Sequence, residues 1–135
     1  MRLFGAVLTT FLALTGAEAA VTVRVDIARQ VMAVQASTGE AYNWRISTGR
    51  IGYATPSGVY RPQRLERMWR SRKYGMAPMP YSVFFRGGYA IHGTYATGAL
   101  GRRASHGCIR LSPRHAAALF GLARSRGGAA VVIRN

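Results

Sequence analysis

The sequence has one cysteine, one lysine and four acidic residues among its 135. A single thiol, Cys108, excludes an intrachain disulfide, so no covalent staple holds the fold together. Four carboxylates against 19 basic residues leave a formal charge of +15, and a chain so short of its own anions points to an acidic partner. Internal repeats and linkers are missing too, which at this length means one domain. The apolar run from Leu3 to Leu14 is too short to span a bilayer. With Arg2 before it and Ala17-Glu18-Ala19-Ala20 after it, Met1 to Ala20 reads as a secretory signal peptide, cleaved after Ala19 or Ala20. Residues 21–135 are then the working domain of an exported protein, expected to be a monomer. Loss of Arg2 and Glu18 leaves the net charge unchanged.

What is present is mostly β pattern. Val21 to Asp26 and Gln30 to Gln35 alternate or run in β-branched residues around an Ala28-Arg29 connection, and read as a strand pair. Tyr42 to Ser47 follows a turn at Ser37-Thr38-Gly39-Glu40, and Thr55-Pro56-Ser57-Gly58 punctuates a loop before Val59-Tyr60. Arg61 to Pro80 carries Arg61, Arg64, Arg67, Arg70, Arg72 and Lys73 with Trp69 and Tyr74, then breakers at Gly75, Pro78 and Pro80. It reads as an irregular or hairpin flap. Gly87-Gly88 between Tyr81–Arg86 and Tyr89–His92 is a hairpin signal that puts His92 at a strand end. Ser112 as N-cap and Pro113 at the first position open a helix with a stripe of Leu111, Ala118, Leu119 and Leu122, stopped at Gly127-Gly128. Ala129 to Ile133 closes the chain as a strand.

An odd thiol in an exported chain is either an intermolecular link or a reactive group, and the count alone does not choose. Cysteine chemistry needs a thiolate, a base, and donors for the oxyanion formed when sulfur attacks a carbonyl. His92, followed by Gly93-Thr94, and Cys108 within Ser105-His106-Gly107-Cys108 are candidates for all three. Gly107 beside the nucleophile lets a carbonyl approach backbone N–H groups. An ion pair between His92 and Cys108 would lower the thiol pKa. The same residues with His106 and His115 could ligate zinc, although no Cys-x-x-Cys or helical His pair is present, and packing on the helix stripe accounts for His115.

Ala77-Pro78-Met79-Pro80-Tyr81-Ser82-Val83-Phe84-Phe85, then Gly87-Gly88-Tyr89-Ala90-Ile91-His92-Gly93-Thr94, then Ser105-His106-Gly107-Cys108-Ile109-Arg110-Leu111 together resemble the L,D-transpeptidase, or YkuD, family. Thr55-Pro56-Ser57-Gly58 resembles that family's Thr-Pro-Thr-Gly turn. The resemblance implies a mainly β domain, a mixed β-sheet or sandwich with one or two short helices. It also implies acyl transfer on peptidoglycan stem peptides, with no metal or organic cofactor, no nucleic acid and no membrane after signal cleavage. Carried over by residue, Cys108 is the nucleophile and His92 the base, oriented by the Gly93 carbonyl. His106 and Gly107 form site wall and oxyanion hole, and Tyr74, Gly87, Gly88, Ser105 and Arg110 contact substrate. Two positions depart from the pattern: Arg110 stands where many members have Asn, and Gly75-Met76 where related chains often carry a polar pair. Two alternatives stay open: a peptidoglycan carboxypeptidase or amidase on the same site, and a non-catalytic basic wall-binding protein. The Arg-rich flap is expected to hold the enzyme on anionic wall polymer.

Overall fold

The alternating segments of the sequence become strands because each can bury one row of side chains. In the computed structural model, residues 19–125 and 128–135 are described. The apolar leader and Gly127, expected to stop the helix, lie outside the described residues. Among those described, nine strands form two sheets accompanied by one α-helix. The first sheet has the order β3-β2-β1-β9-β4, from β1 (Val21–Asp26), β2 (Val31–Ala36), β3 (Ala41–Arg45), β4 (Gly58–Tyr60) and β9 (Ala129–Arg134). The second has the order β5-β6-β7-β8, from β5 (Arg64–Ser71), β6 (Ala77–Arg86), β7 (Tyr89–Gly93) and β8 (Ile109–Leu111). β1 with β9 and β7 with β8 pair in parallel; the other pairs are antiparallel.

One continuous core joins the sheets. Val21, Val23, Val25, Met32, Val34, Val131 and Ile133 come from the first, and Val83, Phe85, Ile91, Ile109 and Leu111 from the second. The helix α1 (Pro113–Ser125) adds Ala116, Leu119 and Phe120. Ser112 caps it as expected, accepting from the His115 N–H at 3.2 Å. Of the expected stripe, Leu111 and Leu119 are buried and Leu122 packs against the core; Ala118 is exposed, and Ala116 and Phe120 complete the buried face instead.

Three departures from the sequence reading shape the site. The third strand stops at Arg45, and the chain crosses to the second sheet, where Ser47 bridges Arg110 and Gly49 bridges Ser105. Pro78 and Pro80 do not break β6, because β7 pairs only with its far half, Val83–Arg86, so their missing N–H groups face no strand there. Tyr81, at φ 53°, flips the alternation within β6, so that Met79 and Phe84 lie in one cluster although five positions separate them. The Ser82 hydroxyl closes this kink by donating to the Met79 carbonyl at 2.7 Å.

Candidate active site

Parallel pairing of β7 with β8 brings together what lies sixteen residues apart in the chain. His92 is the register partner of Arg110. Cys108 precedes Arg110 by two positions, so strand alternation puts both on one face of the sheet, the face His92 shares. All three line one cleft of about 770 Å³. The ladder continues past the strand end, with the Thr94 N–H donating to the Leu111 carbonyl at 2.8 Å.

The loop that delivers Cys108 is held from beneath. The Ser105 hydroxyl donates to the Cys108 carbonyl at 2.5 Å and accepts from the Gly107 N–H at 3.0 Å. The Thr55 hydroxyl donates to the Gly107 carbonyl at 2.8 Å and accepts from the Gly49 N–H at 2.9 Å. Gly107 sits at φ 118°, and a Cβ there would come within 2.6 Å of the Tyr89 ring. Its glycine character therefore serves a left-handed turn against Tyr89, rather than the approach of a substrate carbonyl. Further out, buried Gln30 ties the crossing segment down: its amide donates to Ile27 O and Thr48 Oγ1, both at 2.7 Å, and accepts from the Thr48 N–H at 2.9 Å.

His92 is 6% exposed, and its Nδ1 lies 2.7 Å from the Gly93 carbonyl. A carbonyl only accepts, so Nδ1 carries the proton and Nε2 is left as the acceptor of the neutral ring. Position 93 is tight for any side chain, since a Cβ there would meet Pro113, Pro80 and Ala116 at 3.1–3.3 Å. Burial, reinforced by the Arg110 charge and opposed by the Gly93 hydrogen bond, lowers the His92 pKa to about 4. Burial likewise pushes the Cys108 thiol up, against the pull of a backbone hydrogen bond at Ala90 and the Arg110 charge. The thiol donates weakly to the Gly88 carbonyl at 3.8 Å. The resting pair is therefore neutral thiol and neutral imidazole, not the ion pair expected from sequence.

The expected flap is a true hairpin, β5 and β6 joined through a 3-10 turn at Arg72–Tyr74. Its tip reaches the catalytic loop: Tyr74 stacks on His106 with ring centroids 4.1 Å apart, and Tyr53 meets the same imidazole edge-on at 4.8 Å. Burial and the charges of Arg50, Arg110 and Lys73 hold the His106 pKa below its ordinary value. On the opposite wall Arg64 lies over both Trp69 and Phe84, 4.4 and 4.1 Å from their centroids. No Asp or Glu lines the cleft among the described residues.

Cys108, His92, His106, Tyr74, Gly88 and Arg110 thus converge as expected. Three assignments change. Gly87 lies in the exposed hairpin turn, its N–H donating to Gln63, so of the pair Gly88 lines the cleft and Gly87 does not. Ser105 lines the cleft as well, but its side chain is fully buried and engaged with backbone, so it positions the loop. The Gly107 N–H is taken by Ser105, which leaves the Cys108 N–H as this loop's candidate oxyanion donor. His115 stacks on Trp44 at 4.9 Å, away from the cleft, and no three His, Cys, Asp or Glu side chains converge among the described residues. Thr55 was visible only as part of a turn motif; its partner at Gly107 lies 52 positions away.

Two sheets hold His92 on β7 and Cys108 just before β8 in one cleft, an arrangement with the parts that cysteine acyl chemistry needs. Residues 20–133 match the family model of the L,D-transpeptidase catalytic domain, and the chain belongs to that family. An L,D-transpeptidase from Stackebrandtia nassauensis is 28% identical with a TM-score of 0.76, over 88% of this chain and 57% of that one. One from Mycobacterium smegmatis is 24% identical with a TM-score of 0.74, over 87% and 59%. L,D-transpeptidase 3 from Mycobacterium tuberculosis, in complex with a faropenem-derived adduct, is 25% identical with a TM-score of 0.68, over 87% and 61%. The chain thus spans about three fifths of the length of these structures. No curated protein sequence matches it significantly.

Proposed function

We propose that the protein is an L,D-transpeptidase of the cell envelope that cross-links peptidoglycan stem peptides through a thioester on Cys108. The observation that carries this is the shared sheet face of Cys108 and His92, with His92 Nδ1 fixed on the Gly93 carbonyl so that Nε2 is the free base. As Sγ attacks the carbonyl of the third stem residue, Nε2 takes the thiol proton. The tetrahedral oxyanion meets the Cys108 N–H. Collapse breaks the peptide bond, His92 returns the proton to the departing amine of the terminal D-alanine, and the acyl group remains as a thioester. A second stem's amine then attacks the thioester, gives up its proton to His92, and releases Cys108 as thiol. Water in place of that amine would trim the stem. Because the free pair is neutral, the thiolate forms only as substrate arrives.

The test is intact mass spectrometry of wild type and Cys108→Ala with purified disaccharide-tetrapeptide, alongside analysis of soluble products. Expected are an adduct of the stem less D-alanine on wild type alone, and stem dimers in solution. Adduct with trimmed monomer only would make the enzyme a hydrolase; no adduct and no product would overturn the reading. Faropenem, which yields an adduct in the M. tuberculosis relative, is a second acylating probe, expected to label Cys108 and not the alanine variant.

A further inference from the structure

We propose that Arg110 is the carboxylate subsite for the amine partner of the acyl transfer. Its guanidinium receives the carboxylate borne on the carbon next to the reacting nitrogen, in the departing amino acid and again in the amine that resolves the thioester. The proposal rests on the acyl-enzyme reading above and adds to it what the amine must look like.

The argument begins with register. His92 gives its proton to the departing nitrogen, so that nitrogen lies beside His92. Arg110 is the partner of His92 on the next strand, about 4.8 Å across, and on the Cys108 side. In an α-amino acid the carboxyl carbon lies about 2.5 Å from the nitrogen, two bonds away. A nitrogen at His92 therefore carries its carboxylate toward Arg110.

Counter-charge is the second observation. Arg110 is partly buried, and no Asp or Glu lines the cleft among the described residues. A partly desolvated guanidinium with no protein anion is unfavourable until an anion arrives. The other cations of the cleft are differently placed: Arg64 is stacked on Trp69 and Phe84, and Arg72 and Lys73 lie on the exposed flap turn. The Arg110 backbone is held by a pair of hydrogen bonds with Ser47, at 2.8 and 3.0 Å, so the side chain projects from a fixed base. Its charge also weighs on His92, Cys108 and His106.

Chemistry extends the assignment to the second half-reaction. The incoming amine meets the thioester where the departing amine left, so it meets the same Arg110. Amines with an α-carboxylate, such as a free D-amino acid or the amino-acid end of a diamino acid side chain, are therefore preferred to amines without one.

The test uses the intact protein acylated with disaccharide-tetrapeptide and compares resolution of the Cys108 thioester by D-alanine and by D-alaninamide. It is run in wild type, Arg110→Met and Arg110→Lys. Dividing the acid-to-amide rate ratio of wild type by that of Arg110→Met cancels the difference in intrinsic nucleophilicity. The quotient is expected to be on the order of ten- to a hundred-fold, the worth of a charge-assisted hydrogen bond, with Arg110→Lys in between. A quotient near one, whether the variant slows both amines equally or neither, overturns the proposal and leaves the transpeptidase reading standing. Failure of wild type to form the thioester at all overturns the transpeptidase reading, and this proposal with it. If Arg110→Met does not fold, Arg110→Lys alone reports, and an unchanged ratio there together with unchanged D-alanine KM refutes the subsite.

Discussion

Burial of His92 as a neutral base has a measurable effect on stability. Its pKa falls from 6.5 to about 4. Between those values the unfolded chain binds a proton that the folded chain refuses, so stability is fully present above pH 6.5 and drains away as pH falls towards 4. At 1.36 kcal/mol per pH unit the whole difference is about 3 kcal/mol, of which about 2.5 kcal/mol is lost by pH 4.5. The perturbation is His92→Gln, a residue of similar size with no titration in this range. Urea unfolding of both proteins at pH 7.5 and 4.5 isolates His92 from His106 and His115, which both retain. Wild type is expected to lose about 2.5 kcal/mol more than the variant. A resting ion pair with Cys108 would raise the His92 pKa and reverse the sign, so that wild type would lose less. Equal losses, or losses of that opposite order, refute the neutral-pair argument.

Three further outcomes follow from the same geometry. Because burial holds the Cys108 thiol above its ordinary range, its alkylation by iodoacetamide should climb about tenfold per pH unit from 6 to 8; a plateau there contradicts it. Gly107→Ala forces a side chain into φ 118° and within 2.6 Å of the Tyr89 ring, and should lower unfolding free energy by about 2 kcal/mol or more and Cys108 acylation more than tenfold, as read by denaturation and intact mass. Thr55→Val removes the hydroxyl between Gly49 and Gly107 and should cost about 1–3 kcal/mol, while Thr55→Ser, which keeps the hydroxyl, recovers most of it and the acylation rate.

Much of this molecule can be read before it is folded, and the legible parts share a cause. Alternation at Val21, Val23 and Val25, the glycine pair at 87 and 88, and the Ser112-Pro113 helix start are local signals that only need near neighbours. Cys108 and His92 stood out because cysteine chemistry needs a thiol and a base, and Gly93 stood out through the family resemblance. The illegible parts depend on partners remote in sequence. Gln30 reads as a strand residue, yet φ 52° and its bonds to Thr48 make it a buried hub. Ile109–Leu111 is too short to announce a strand and becomes one because β7 offers a parallel edge. Ser105 and Gly107 lie in the right motif, but only the folded loop shows that they bind each other.

Parallel pairing of β1 with β9 also has a consequence for how the chain comes to be an enzyme. The two strands occupy the middle of the first sheet, so its centre joins the earliest and the latest parts of the domain to be synthesised. Until Ala129–Arg134 is available, β1 lacks its inner neighbour and β4 lacks its only one. A chain without β9 therefore lacks Val131 and Ile133 of the shared core that backs Ile91 and Ile109, the neighbours of His92 and Arg110. For the same reason, removal of residues 129–134 severs β4 from the rest of the first sheet.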